Sequence, residues 1–244
     1  MENVTVDLNN PSLYEEPDSK FYRFIRKLKT GPVLKQLRKI AKKNPKFSLL
    51  EVGTGSGFLL TFLESEFPDS KLTGVEYDSR LVTLSQSKIK NSRIIQGNAE
   101  SFDLMGEKFD IIVSLQVIEH LYNPDLMIDC VIKHLNPDGI FVLTTPNLEC
   151  ISEKYMNQKW HGYRPDHVSL KTYTDWKSFI EERGFSSIYC GSTFFSGIPI
   201  LNKLPFGVLN WGLLFFIGSI KWKYGESFIG VFKVNCNNNS ATLK

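Results

Sequence analysis

The sequence predicts an α/β fold, a doubly wound and mainly parallel sheet with helices on both faces. Three observations point to it. Apolar runs at 47–52, 71–75, 93–96, 109–115, 139–145, 185–190 and 228–234 read as strands. Amphipathic stretches at 57–66, 79–88 and 124–135 fall between the first five, and such alternation requires parallel crossovers. A glycine-rich turn, Gly53-Thr54-Gly55-Ser56-Gly57, ends the first strand and opens a helix.

The bulk properties agree. A length of 244 residues suits one domain with additions, and 42% hydrophobic residues supply a core. A net charge of +3 does not by itself imply a nucleic-acid partner. Cys130, Cys150, Cys190 and Cys236 are scattered, without C-x-x-C or metal-finger spacing. They read as reduced thiols of a cytoplasmic protein. The polar, acidic start from Met1 to Asp7 predicts no secretory signal, and no internal repeat is visible.

Taken in order, residues 1–18 are polar with two prolines and predict a mobile arm. Lys20 to Lys46 holds eleven Lys or Arg and no acid. Its apolar residues recur at helical spacing, and Thr30-Gly31-Pro32 divides it into two short basic amphipathic helices. Residues 1–46 therefore form an N-terminal extension to a domain at 47–234. Within that domain, Asn123-Pro124 predicts a helix start with Asn as cap. Asn136-Pro137-Asp138-Gly139 predicts the turn that follows. Thr172 and Gly184 bracket a helix at 173–183. The Asn-rich 235–244 predicts a disordered tail.

The strand ends carry the polar groups. Glu51, inside the end of the first strand, would repel a pyrophosphate but suits a ligand bearing an ammonium or a sulfonium. Phe58 stands where a dinucleotide-binding turn needs a small residue, which argues against a nicotinamide-dependent oxidoreductase. Glu76 ends the second strand about 20 residues past the turn, where a ribose diol is held. Asn98 and Ala99 follow the third strand, and the fourth runs through Leu115 and Gln116 into Glu119 and His120. All lie on the carboxyl edge of the sheet, where open α/β folds bind ligands.

The segments LLEVGTGSG, GVEYD, GNAE, FDIIVSLQVIEHL and LNPDGIFVLTTPN resemble the motifs of class I S-adenosylmethionine-dependent methyltransferases. Among these, they are most similar to the branch of ubiquinone-biosynthesis O-methyltransferases and of sugar and natural-product methyltransferases. The resemblance implies a Rossmann-like sheet of order 3-2-1-4-5-7-6 with strand seven antiparallel, and S-adenosyl-L-methionine as cofactor. It implies that Glu51, Gly53, Gly55 and Gly57 surround the methionine part, and that Glu76, with Tyr77 beside it, binds the ribose. Asn98, where the family usually has Asp, and Ala99 would meet the adenine. Leu115 and Gln116 would flank the sulfonium. Methyl transfer then needs positioning and, for a hydroxyl acceptor, a base.

Three residues are candidates for that chemistry. Glu119 and His120 lie just past the fourth strand; related enzymes with an E-x-x-E-H pattern there are associated with a divalent metal. This chain has Gln116 in place of the first carboxylate, a weak ligand for a hard cation, so no metal is expected. His167 lies in the 147–170 segment and reads either as a general base, oriented by Asp166 or another acid, or as a loop histidine bonded to backbone. Trp160, His161 and Tyr163 either line an acceptor pocket or pack that segment down. The second insertion, 194–225, is apolar and has no charge between Lys203 and Lys221. It reads as a lid, a homodimer contact, an interfacial segment or plain core, and is too broken by Gly and Pro for a membrane span.

The expected activity is O-methylation of a small-molecule acceptor, quinone-like, sugar or lipid-linked. The alternatives are N-methylation of a small molecule or peptide, and a catalytically silent partner subunit that binds the same cofactor. The basic helices and the apolar insertion together suggest peripheral contact with a membrane. No RNA-binding module accompanies them, so nucleic acid is not expected.

Overall fold

The computed structural model describes residues 20–194, 196–203 and 205–235. The expected arm at 1–18 and all but the first residue of the expected tail lie outside them. That first residue, Asn235, donates its N–H to the Gly184 carbonyl at 2.9 Å.

The sheet is built from β1 (Ser48–Val52), β2 (Lys71–Glu76), β3 (Arg93–Gln96), β4 (Phe109–Leu115), β5 (Leu135–Pro146), β6 (Phe185–Thr193), β7 (Ser219–Ile220) and β8 (Ser227–Val234). Their order is β3-β2-β1-β4-β5-β8-β6-β7. β3, β2, β1, β4 and β5 run parallel to one another, and β8 runs antiparallel between β5 and β6. The expected order is borne out, with β8 as the antiparallel seventh strand and the two-residue β7 added at the edge.

Alternate residues of each central strand face opposite sides, as pleating requires. Leu50, Ile112 and Phe141 pack with Ile128, Val131, Trp176 and Ile180, from α4 (Pro124–His134) and α6 (Tyr173–Glu181). Leu49, Ile111 and Val142 pack on the other face with Leu37, Leu59, Leu63 and Val82. Those four come from α1 (Lys20–Ala41), α2 (Phe58–Glu66) and α3 (Ser79–Lys88).

Three local expectations are corrected. The basic segment is one helix, α1, which runs through Pro32 where a break is predicted. A proline inside a helix costs about 3 kcal/mol. Here it is offset by burial, since Pro32, Val33, Leu34, Leu37 and Ala41 are all buried. Asn136–Gly139 is not a turn between elements but a bulge inside β5: Leu135 pairs with Phe109 and Ile140 already pairs with Ile111. Asp138 takes a left-handed φ of 66° there and pairs with Lys233 at 2.9 Å. Asn123 does not cap α4 with its side chain; its N–H donates to Glu100 at 2.7 Å, and Pro124 at the first position carries the start. The Thr172 cap is as expected, with its hydroxyl 3.1 Å from the Asp175 N–H.

The 147–170 segment holds the short α5 (Ile151–Met156), and the 194–225 segment holds α7 (Phe206–Phe216) before β7. A buried carboxylate joins the two. Glu226 accepts from Trp160 Nε1 at 2.6 Å, Ser152 Oγ at 2.5 Å and Gly197 N at 2.9 Å. Tyr163 donates to Glu153 at 3.0 Å. Trp160 and Tyr163 thus pack the segment down.

Asp110 ties three strands together. It accepts from Ser48 N at 2.8 Å, Ser48 Oγ at 3.0 Å and Asn136 Nδ2 at 2.9 Å. Burial pushes its carboxyl up, but the hydrogen bonds from Ser48 and Asn136 outweigh this and leave it below the ordinary aspartate range. A depressed carboxyl stabilises the fold above its unfolded pKa, and that gain is lost as pH falls through the folded value. Asp110→Asn is expected to cost about 1–2 kcal/mol at neutral pH. Urea unfolding at pH 7 and below pH 4 checks this: the gap from wild type narrows at the acid end.

Candidate active site

The turn after β1 is shaped by close approach. Gly53 N and Thr54 N both donate to the Val75 carbonyl, at 2.8 and 3.1 Å. Gly53 has φ +78°, and a Cβ there would lie 2.3 Å from Val117 Cγ2. The turn therefore presses against the start of the segment after β4. Past it, the Gly55 N–H donates to Glu76 Oε2 at 2.7 Å, and Glu76 Oε1 accepts from Asp78 N at 3.0 Å. Two backbone donors thus hold the buried Glu76 carboxylate at the cleft wall. Asp78 goes on to cap α3, accepting from Arg80 N at 2.8 Å.

These groups border a cavity of about 590 Å³ at the carboxyl edge of the sheet. Glu51, Gly53, Gly55, Glu76 and Tyr77 line it from the first two strand ends. Asn98, Ala99, Leu115 and Gln116 line it from the third and fourth. Glu51 and Glu76 place two buried carboxyl groups in the lining, which suits a cation and a diol better than a phosphate. Gln116 holds a left-handed φ of 56°, uncommon for a residue with a side chain. Its N–H donates to the Thr144 carbonyl at 2.9 Å.

One expected residue is elsewhere. Gly57 does not line the cavity; it is the N-cap of α2 and lies against Ser85 of α3. Thr30 of α1 and the exposed Tyr122 line the cavity without having been singled out. Thr30 was hidden by the predicted helix break.

Beside Gln116 the chain makes a 3-10 turn, Ile118–His120. Glu119 is fully buried, and its Oε2 accepts from Thr145 Oγ1 at 3.1 Å. Its Oε1 is buried with no hydrogen-bond partner among the described residues. Burial pushes its pKa up to about 8. His120 Nδ1 lies 3.0 Å from the Asp166 carbonyl and 3.3 Å from Asp166 Oδ2. His167 Nδ1 lies 2.7 Å from the Gly162 carbonyl. A carbonyl only accepts, so both Nδ1 atoms carry the proton and both Nε2 atoms keep a lone pair. Burial lowers both histidine pKa values, and each therefore favours its neutral form.

The candidates divide clearly. Only His120 lines the cavity; Glu119 and His167 stand behind it. Asp166, considered as the partner of His167, orients His120 instead, and Arg164 braces it at 2.9 Å. One donor atom from each of Glu119, His120 and His167 lies within 4.8 Å of the others. A carboxylate and two imidazoles suit zinc, iron or manganese better than magnesium. The Nδ1 contacts are those that orient metal-bound histidines. The expectation of no metal rested on Gln116 and took no account of His167.

A family model described as a methyltransferase domain matches residues 22–189, most of the chain. The chain belongs to the methyltransferase domain family. The resemblance read from its motifs is borne out. A malonyl-[acyl-carrier protein] O-methyltransferase of Paenibacillus sp. is 26% identical over 155 residues, covering 58% of this chain and 56% of that protein. A ubiquinone biosynthesis O-methyltransferase of Bartonella tribocorum is 32% identical over 107 residues, or 41% of each chain. The matches thus span about half the length of these curated relatives or less. Among solved structures, the plantazolicin methyltransferase BpumL in complex with SAH has a TM-score of 0.61 at 16% identity. That match covers 92% of this chain and 88% of BpumL and shows the same Rossmann-like methyltransferase fold.

Within this methyltransferase domain Gly53 combines a left-handed φ with a close approach to Val117. Gly53→Ala is expected to cost about 1–2 kcal/mol from the left-handed conformation alone, before Val117 gives way. Denaturant unfolding of the variant measures the loss, and wild-type stability would contradict the strain.

Proposed function

We propose that this chain transfers the methyl group of S-adenosyl-L-methionine to a hydroxyl of a small-molecule acceptor. The observation that supports the hydroxyl most is His120. It faces the cofactor cavity beside Leu115 and Gln116, with Nδ1 tied to Asp166 and Nε2 left with its lone pair. A nitrogen acceptor already offers a lone pair and has less need of such a group.

The cofactor would lie with its ammonium and sulfonium near Glu51, its ribose on Glu76 and Tyr77, and its adenine against Asn98 and Ala99. The acceptor oxygen would displace the sulfur at the methyl carbon, with its proton taken by His120 Nε2. S-Adenosylhomocysteine leaves, and the protonated imidazole is stabilised by Asp166. If a divalent ion were held by Glu119, His120 and His167 instead, His120 Nε2 would be a ligand and not the base, and the ion would supply Lewis acidity, lowering the pKa of an acceptor hydroxyl. The relatives named as O-methyltransferases favour oxygen as the target. A quinone-like, sugar or lipid-linked acceptor fits this reading.

Two measurements test it. Glu76→Ala should weaken S-adenosylhomocysteine binding at least tenfold in a calorimetric titration, about 1.4 kcal/mol. An unchanged affinity in a folded variant removes the cofactor assignment. His120→Ala should leave that affinity intact and lower methyl transfer to a phenol or sugar panel about a hundredfold. Label found only on amines overturns the hydroxyl reading. Loss of activity on chelation, restored by zinc or manganese, assigns the cluster to a metal.

A further inference from the structure

α7 is packed inside out. Its turned-in residues include Gly207 and Asn210, with Leu214 the one large apolar side chain among the buried three. Its outward stripe is Val208, Leu209, Phe215 and Phe216, at spacings of one, seven and eight, between 63% and 80% exposed. Helical geometry puts those four on one side and the buried three on the opposite side. A helix on a water-soluble surface shows the reverse pattern. Asn210 fixes the orientation: its Oδ1 accepts from Ser196 N at 3.0 Å and its Nδ2 donates to the Ser196 carbonyl at 2.9 Å. The apolar side is therefore held outward by hydrogen bonds on the inner side. Phe206 and Ile200, also more than half exposed, extend the patch.

Charge singles out the partner. No Asp or Glu occurs from Arg183 to Gly225, while Lys203 and Lys221 flank α7 and are exposed. Lys20 to Lys46 is likewise acid-free. The two segments meet where Gly218 lies against Pro32 of α1. An exposed apolar ridge within an acid-free stretch and flanked by Lys203 and Lys221 is complementary to an anionic lipid surface. A second copy of the chain would bring cations against cations. Among the described residues no helix is long and apolar enough to cross a membrane, so the contact is peripheral.

We propose that the outward face of α7, with Lys203, Lys221 and the adjoining basic α1, docks on an anionic membrane surface. Phe215 and Phe216 enter the interface while the lysines meet the headgroups. Thr30, two residues before Pro32, lines the cofactor cavity, so docking sets the mouth of that cavity near the lipid.

Co-sedimentation of the full chain with vesicles tests this. Vesicles of equal phosphatidylglycerol and phosphatidylcholine should bind it at least tenfold better than phosphatidylcholine alone, and added salt should weaken binding. Phe215→Ser with Phe216→Ser, and separately Lys203→Glu with Lys221→Glu, should each reduce binding at least tenfold. S-Adenosylhomocysteine affinity measured without vesicles should stay at the wild-type value in both variants, which shows that they fold. No binding at low salt, equal binding to both vesicles, or undiminished binding by either variant overturns the proposal. So does a dimer in ultracentrifugation that the phenylalanine variant converts to monomer, because a second copy then covers the patch. Absence of S-adenosylhomocysteine binding in the wild type would count against the methyltransferase reading and leave the vesicle result to stand alone.

Discussion

Val52 is paired with Val75 on one side and with Ser114 on the other. That register of β1 between two parallel neighbours fixes where three strands end. Gly53 N then bonds the Val75 carbonyl, the chain turns under Val117, and Gly55 N reaches Glu76. Slipping β1 by one residue would turn Leu50 and Val52 out of one core layer and Leu49 out of the other. It would also carry the turn away from Glu76. Core packing on both faces is thus what holds the cleft in shape, and the buried Glu51 and Glu76 gain their positions from apolar residues beside them.

How much of this was legible depended on the range of the forces involved. Strand alternation and the cap at Thr172 are local, and the sequence showed them. The same holds for most of the cofactor-side residues, since a glycine turn and strand-end carboxylates come at fixed separations. Pro32 misled because local propensity favours a break, whereas burial of Val33, Leu34 and Leu37 against the sheet decides the matter. Asn136–Gly139 has turn chemistry and does turn the chain, but β4 continues to pair on both sides of it, so it becomes a bulge. Gly57 has the expected backbone but serves helix packing. The proximity of His167 to Glu119 and His120 could not be read at all, because it depends on how the long segment after β5 folds back over the sheet edge.

That fold-back has a physical anchor in Glu226. A buried carboxylate without partners is costly, and this one is met by Trp160 and Ser152 from the first insertion and by Gly197 from the second. His161 Nε2 adds a contact at 3.3 Å. The loops that differ most between enzymes of such folds are here tied to one charge at the start of β8. Because β8 is antiparallel, its beginning sits beside the end of β5. The anchor therefore stands at the same edge as the cofactor cavity.

Glu119 is the opposite case, a buried acid whose partners are incomplete. Thr145 serves one oxygen, and the Asp166 carboxylate nearby adds repulsion instead of relief. With its pKa pushed up to about 8, the group is largely neutral at pH 7. A fold shaped only for stability would place Leu or Met there. The same turn keeps His120 facing the cavity, with Nδ1 committed to Asp166 and His167 edge-on at 4.7 Å. The buried Glu119, which costs the fold stability, and the half-buried His120 and His167 are thus gathered in one cluster beside the cavity. Such concentration is what a functional site costs a fold. It makes the end of β4 the candidate for the chemistry, beside the cavity that the glycine turn after β1 helps to line.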